Sequence, residues 1–565
     1  MSERPPSDQP ATIKPLPKPV KILPGLALAV LGGICQTLTW PKYNLWPLTF
    51  FCLIPLWVAI FGQRPKRAFL FGWVYGLTLG FSSFYWLAGV MAGYGGLGTV
   101  GGFIILLILA AFLALYQAIW AGLMAGYTTR EAPLDSRMMG VPLLGAFLWA
   151  GFDYLKNYVL TGFNWSPLAG GLTGSLELIG AADLIGVYGL TLPVALVSIL
   201  LAQLVKYRAR REQALVSAIA ALAIVAAFFG YGSYRLSHYD QLASSGDGTE
   251  KTVAILQASV PQDQKWDLRF RDEILSRFEF LLAKANQAKP WLTVWPETAV
   301  PFIYGLDLVE TRWIDETLSN SPLNMLVGLA AGDYDETGTL KLHNRAWLIQ
   351  RGEVIGSYDK SHLVPFGEYI PLASVLPFLK WPFLQGLLGA AGTYDPGLPR
   401  PPMVLDGIQI GQLICFESIF PYMAYERAKS GASLLVVTTN DAWFGLTMAP
   451  SQHLAQSVHR AVETRLPLVR AANNGISVII APSGRVLRRS PQNEIQTYAW
   501  PLKLPAQSPK TLFSRGGHLL APLMGLLTFL FCLYKLYLAR LAAIATKSGL
   551  SANAKPKKTR FTPEL

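Results

Sequence analysis

Cysteine is scarce in this chain, with four residues in 565. So few and so scattered, they exclude a disulfide framework. Histidine is also rare, at six. Neither a two-histidine helix motif nor a paired-cysteine spacing occurs, so a metal site is not expected. Charged residues make up 15% of the chain against 52% hydrophobic ones. That balance excludes a purely soluble protein of this size and points to several membrane spans. A cleavable signal peptide is not expected either. The first apolar run follows a long Pro-rich flank, and "GGICQTLTWP" offers no small-x-small cleavage site.

The net charge of +13 raises the question of nucleic acid, and its distribution answers it. Residues 237–517 hold 25 Lys and Arg against 26 Asp and Glu, so the whole surplus lies with the apolar segments. Cytoplasmic flanks of membrane helices carry such a surplus. No nucleic-acid-binding signature accompanies it, and no nucleic-acid partner is expected.

A span needs about 20 mainly apolar residues. Eight stretches qualify: 23–40, 44–62, 68–91, 99–127, 138–158, 178–205, 214–235 and 518–538. Basic residues recur in every second connection. They are Arg4, Lys14, Lys18 and Lys21 before the first span, Arg64, Lys66 and Arg67 between the second and third, Arg130 and Arg137 between the fourth and fifth, and Lys206, Arg208, Arg210 and Arg211 between the sixth and seventh. The other connections hold little more than Lys42 and Lys156. The positive-inside rule then puts both termini in the cytoplasm and residues 237–517 outside it. The domains expected are a cytoplasmic flank (1–22), a seven-helix membrane domain (23–236), an external domain (237–517), an eighth span (518–538) and a basic tail (539–565). Asp153, Glu177 and Asp183 fall near membrane depth. Intramembrane acids often mark function, but each can lie at a span end in a structural role.

The external region alternates short β-branched runs with amphipathic ones. "TVAILQA" (252–258), "WLTVWPE" (291–297), "NMLVGLAAG" (324–332), "AWLIQRG" (346–352), "QIGQLICFE" (409–417), "SLLVVTTN" (433–440) and "SVIIAPSG" (477–484) read as buried strands. Stretches 268–287 and 449–465 read as helices. Buried strands separated by helices imply a layered α/β fold, whose chemistry gathers at strand ends.

Three strand ends carry reactive groups: Glu297 in "WPETAVP", Lys360 in "YDKSHLVPFGEYIP" with Glu368 eight residues on, and Cys415 in "LICFES". Taken singly, an exposed acid, an exposed lysine and a packed cysteine are ordinary. Together they make a working set. The carboxylate takes the thiol proton, the ammonium favours the thiolate and an oxyanion, and the Phe416 N–H is a natural second oxyanion donor. A Cys–His pair using His343 or His362 is the rival arrangement.

"WPET", "DKSHLVPFGEYIP", "CFE" and "TTNDAWFG" resemble the nitrilase (carbon–nitrogen hydrolase) superfamily. Joined to a multi-span region, the pattern resembles its membrane-bound branch, the bacterial apolipoprotein N-acyltransferases, from about residue 24 to 538. The resemblance implies an external αββα sandwich joined to eight transmembrane helices. It also implies a general base at Glu297, a lysine at Lys360 and a nucleophile at Cys415. Glu368, Glu417, Asn344, Phe416, Trp266 and Trp443 fall at supporting positions.

The reaction implied is two-step. Cys415 takes an acyl chain from a phospholipid, for which the family suggests phosphatidylethanolamine. The thioester is then attacked by the N-terminal amine of a diacylated apolipoprotein, with no cofactor. The expected location is a bacterial inner membrane, with the catalytic domain in the periplasm. Apolar segments 376–390 and 443–450 are expected to act as lids dipping towards lipid. A membrane-tethered amidase or nitrilase-type hydrolase would share the triad but gain nothing from eight spans. A transporter or inert scaffold would not need it.

Overall fold

The computed structural model describes residues 19–128, 134–206, 211–244, 248–371, 394–505 and 509–547. The expected lid at 376–390 lies outside the described residues, as do Arg4, Lys14, Lys18, Arg130, Arg208, Arg210 and the basic tail from residue 548 on.

Among the described residues, five helices are long and apolar enough to cross a membrane: Ile22–Thr39, Gly98–Thr128, Ala182–Lys206, Arg211–Leu242 and Gly517–Ile544. Pro65–Ser83 and Trp86–Gly93 qualify together, bent by 60° at their break. Trp46–Ile60 and Met139–Leu155 are shorter apolar helices. Their outer surfaces are apolar, as at Phe103, Ile104, Leu107 and Ile108, or at Leu526, Phe529, Leu530 and Leu533. Such surfaces suit lipid rather than water. Helices approach closely where side chains are absent: a Cβ on Gly72 would stand 2.4 Å from the Gln117 carbonyl oxygen. Two boundaries differ from the sequence reading. The helix begun at Arg211 runs past residue 236 to Ser244, and the last runs past 538 to Lys547.

The second half builds two sheets. The first orders β13 (Gln496–Pro505), β1 (Gly248–Gln257), β2 (Leu292–Val294), β4 (Met325–Tyr334), β5 (Leu340–Gln350) and β6 (Glu353–Asp359), with β3 (Ile303–Tyr304) also on β4. The second orders β12 (Val486–Arg489), β11 (Val478–Ile480), β10 (Leu468–Ala472), β9 (Leu434–Thr439), β8 (Ile408–Ile414) and β7 (Met403–Leu405). Their facing sides pack together: Val253, Ile255, Val294, Leu326 and Leu348 meet Ile410, Ile414, Val436, Val469 and Ile479. The helix Arg271–Ala288 covers the first sheet with Ile274, Phe278, Leu281 and Ala285, spaced three or four apart, and Phe278 stacks on Trp295.

The helix Ala449–Thr464 covers the second sheet, and here the structure departs from the amphipathic reading. Its polar side is not solvated: Gln452, His453, Gln456, His459, Arg460 and Glu463 are all buried. The reason is a second neighbour. The membrane helices pack on that side, and one apolar cluster runs from Leu435 and Val437 through Val458 to Trp86, Trp165 and Val187. Polar groups caught between must be paired. Trp165 Nε1 donates to Gln452 Oε1 at 2.9 Å, Gln456 to the Trp165 carbonyl at 2.6 Å and the Val187 N–H to Glu463 at 2.8 Å.

The three membrane-depth acids take structural places. Asp153 pairs with Lys156 at 2.8 Å and accepts from the Leu168 N–H. Glu177 accepts from Ser175, and Asp183 binds Arg235 and Arg465. The 443–450 segment is not a free lid. Met448, Ala449 and Pro450 are buried at the start of a helix, Phe444 packs on Trp86 and Trp165, and Leu446 is exposed.

Candidate active site

Pro296 cannot donate to a ladder, so β2 ends and the chain turns at Glu297. That turn lies against β4: the Ala299 N–H bonds the Gly328 carbonyl at 2.8 Å, and a Cβ on Gly328 would come within 2.3 Å of the Pro296 carbonyl oxygen. Lys360 follows the last residue of β6, its N–H bonded to the Asn344 carbonyl on β5 at 2.8 Å. Cys415 follows β8 and opens a short 3₁₀ turn, Cys415–Ile419, at φ +50°. That left-handed backbone is unusual for a residue with a Cβ. Phe416 lies in the first turn, where N–H groups lack partners within the helix.

These ends converge. Lys360 Nζ donates to Glu297 Oε1 at 3.1 Å and to Glu368 Oε1 at 2.8 Å. Asn344 Nδ2 bridges the same two oxygens at 2.8 and 3.0 Å. The Asn440 N–H, at the end of β9 in the other sheet, closes on Glu297 Oε2 at 2.8 Å. The Val364 N–H fixes the second oxygen of Glu368. Glu297, Lys360 and Cys415 are all buried, and the charges of the first two act on the thiol.

Burial drives Glu297 upward, but the Lys360 charge and the Asn344 and Lys360 hydrogen bonds outweigh it, leaving the carboxyl below its ordinary range. Burial alone would lower Lys360, and the carboxylates of Glu297 and Glu368 hold it well above the usual lysine value. Burial pushes the Cys415 thiol up, with Glu297 adding to the rise and Lys360 opposing it. At neutral pH the resting site therefore holds a thiol beside an ionised carboxylate and an ammonium. Chemically, such an arrangement can pass the thiol proton to the carboxylate.

Glu417 sits differently from a reacting acid. Oε1 accepts from Tyr358 Oη (2.6 Å), the Ser361 N–H (2.8 Å) and the His362 N–H (3.2 Å), while Oε2 accepts from the Ile414 N–H (2.8 Å). It ties the Lys360 loop to the Cys415 turn. Phe416 stacks on Phe163 of the membrane half. Trp443 rests edge-on against Tyr94, and Trp266 is partly exposed. The rival histidines are engaged elsewhere: His343 Nδ1 meets the Asp395 carbonyl and His362 Nδ1 meets Tyr422 Oη. Among the described residues no group of three or more His, Cys, Asp or Glu is placed to hold a metal ion.

Sequence reasoning missed five residues around this cluster. Lys265 is buried, with Nζ on Thr298 Oγ1 at 2.7 Å and on the Glu297 carbonyl at 3.3 Å. Asn440 supplies the backbone clamp just described. His453 Nε2 stands 3.0 Å from the Cys415 carbonyl oxygen, its Nδ1 3.0 Å from Asp441, which Arg470 grips at 2.8 Å. Asp441 is held below the ordinary carboxylate range, Arg470 and His453 outweighing its burial. "TTNDAWFG" was the available signal for Asn440 and Asp441, whereas Lys265 and Arg470 look like surface charges until the fold buries them.

Residues 32–200 match the family described as Apolipoprotein N-acyltransferase N-terminal domain, and residues 252–505 match Carbon-nitrogen hydrolase. The chain is 36% identical over 471 residues to the apolipoprotein N-acyltransferase of Geobacter metallireducens, covering 82% of this chain and 86% of that one. It is 29% identical over 476 residues to the enzyme of that name from Pseudomonas syringae pv. tomato (83% and 89% covered). With that of Allorhizobium ampelinum the identity is 31% over 481 residues (81% and 86%).

Proposed function

The chain belongs to the apolipoprotein N-acyltransferase family, and from that premise we propose that Cys415, Lys360 and Glu297 carry out its reaction. It is a membrane enzyme with a carbon–nitrogen hydrolase domain that acylates lipoproteins at the N-terminal amine. The observation that carries the residue roles is the bridging of Glu297 and Glu368 by Lys360 and Asn344 beside a strand-end cysteine.

In the first step Glu297 takes the Cys415 proton as sulfur attacks the ester carbonyl of a phospholipid, with phosphatidylethanolamine the donor proposed. Lys360 and the Phe416 N–H hold the oxyanion, each such donor worth about 3 kcal/mol. Glu297 then returns the proton to the departing lysophospholipid oxygen. In the second step the amine of a diacylated N-terminal cysteine attacks the thioester and loses its proton to Glu297, and the thiol reforms. Asn344 and Glu368 hold Glu297 and Lys360 in register, Glu417 braces the nucleophile turn, and Trp266 and Trp443 are supporting residues.

The topology that serves this chemistry has eight crossings, counting the bent pair as one span and the two shorter apolar helices as one each. Both termini are cytoplasmic and the catalytic domain is periplasmic. The domains are then a flank, a seven-span unit whose last helix ends at Ser244, a catalytic domain from Gly248, an eighth span whose helix continues to Lys547 and a tail beyond it. Basic residues in alternate connections support this orientation.

The test is a transfer assay in detergent micelles with acyl-labelled phosphatidylethanolamine and a diacylated lipopeptide. Label should move to the lipopeptide amine, and Cys415→Ala should abolish the movement. Release as free fatty acid without transfer would instead identify a hydrolase.

A further inference from the structure

Lys265 has no part in the triad, yet it is a fully buried ammonium one residue away from bulk contact at Trp266. Its Nζ makes two described hydrogen bonds, both to the turn that carries the base: the Thr298 hydroxyl at 2.7 Å and the Glu297 carbonyl at 3.3 Å. Thr298 sits at φ +41°, a left-handed conformation that a β-branched side chain disfavours. Something must hold that residue, and the ammonium does so from the side.

The loop carrying Lys265 is itself anchored to the opposite sheet. The Ser259 N–H bonds the Asn473 carbonyl at 2.9 Å, and the Val260 N–H bonds Asn473 Oδ1 at 3.0 Å. Asn440 Nδ2 donates to Gln262 Oε1 at 2.8 Å, from the residue whose N–H clamps Glu297. The Lys265 N–H closes on the Pro261 carbonyl at 3.1 Å. The ammonium is thus delivered to the Glu297 turn by a braced loop, not by a wandering side chain.

We propose that Lys265 is a positioning residue for the acyl-transfer reaction, holding the Glu297–Thr298 turn and supplying a second fixed positive charge that keeps Glu297 ionised. The proposal rests on the reading of Glu297 as general base. The charged and titratable groups acting on Glu297 are Lys360 from the β6 end and Lys265 from the β1 loop. Cys415 at the β8 end, Glu368 on the Lys360 loop and Tyr394 also face it. With a neutral thiol, two carboxylates balance two ammonium groups. Removing Lys265 leaves an excess negative charge, which makes Glu297 easier to protonate. Burial brings Lys265 down to about 8, while the neighbouring Glu297 and Cys415 oppose the fall. It is therefore charged where Glu297 must act as a base.

The experiment follows thioester formation on the full-length protein in micelles, with labelled phospholipid and no acceptor, across pH. Lys265→Met should slow the step at neutral pH and move the acid limb of its rate upward by about one pH unit, the low end of what loss of a neighbouring unit charge does. Lys265→Arg should restore the limb. Thr298→Val keeps the charge but removes the shorter bond, so it should slow the step with the limb unmoved. It also decides the matter if Lys265→Met yields no folded protein. A limb that stays in place in Lys265→Met, or full rate in Thr298→Val, would overturn the proposal. Glu297→Gln and Cys415→Ala are run alongside. If either still forms the thioester, the triad reading fails. If both are dead and Lys265→Met leaves the limb unmoved, the Lys265 proposal alone fails.

Discussion

Arg465, at the end of a catalytic-domain helix, donates from Nε to Asp183 Oδ2 of a membrane helix at 2.9 Å, and Arg235 reaches the same oxygen at 2.7 Å. Arg465 is completely buried and also binds the Gly180 carbonyl. The two halves of the molecule are therefore joined by a desolvated ion pair as well as by apolar packing. Breaking one partner of such a pair costs about 3–5 kcal/mol, because the other charge is left buried. Asp183→Asn should lower thermal stability in micelles by that order. Asp183→Asn with Arg465→Met should be less damaging than the sum of the single changes.

Glu417 is predicted to matter without touching the reacting atoms. It accepts from the loop after Lys360 and from the strand before Cys415, so its two oxygens set the spacing of amine and sulfur. Glu417→Gln swaps one acceptor for a donor facing N–H or O–H groups. Each charged hydrogen bond lost is worth about 1.5–3 kcal/mol. Acyl transfer should fall by about tenfold or more while phospholipid binding, measured by equilibrium labelling, changes little.

The pH behaviour follows from two opposite shifts. Glu297 lies below its ordinary range, chiefly because the Lys360 charge and the Asn344 bond overcome burial. Its ionised form therefore persists as pH falls through the ordinary carboxylate value of about 4, and activity that needs the base is lost only below that. Cys415 lies above its ordinary value through burial. Small neutral alkylating reagents should therefore modify it more slowly at neutral pH than a free thiol. A fast reaction, with a thiolate present before substrate, would contradict that reading.

Gly328 gives a test by shape alone. A Cβ there would stand 2.3 Å from the Pro296 carbonyl oxygen and 2.9 Å from Glu297 Cα, so Gly328→Ala must displace Glu297, the proposed base. A misplacement of about 1 Å can cost on the order of 100-fold. Transfer should fall by that order, with the membrane half and Cys415 labelling by a thiol reagent intact.

The ends of β2, β6 and β8 were readable because short β-branched runs stop at Pro296, Lys360 and Cys415, and chemistry gathers where strands stop. Strands β10 and β13 were not. Arg470 interrupts the apolar run of one, and Tyr498, Trp500 and Lys503 leave the other partly exposed. The helix 449–465 was legible as a helix but not as a buried one. Its polar side is matched by Trp165, Val187 and Thr173 from nearly 300 residues earlier, a pairing no local pattern reveals. Lys265 was hidden for the same reason, since a lysine among polar neighbours reads as solvated until a second element covers it.

The central claim is a covalent one: sulfur 415 carries the acyl chain between donor and acceptor. The direct measurement is intact-protein and peptide mass analysis after incubation with phospholipid and no acceptor. The account predicts one added acyl group, located on the Cys415 peptide, released by hydroxylamine and discharged when a diacylated lipopeptide is supplied. Transfer to the lipopeptide by a Cys415→Ala variant, or an acyl adduct on any other residue, would contradict it.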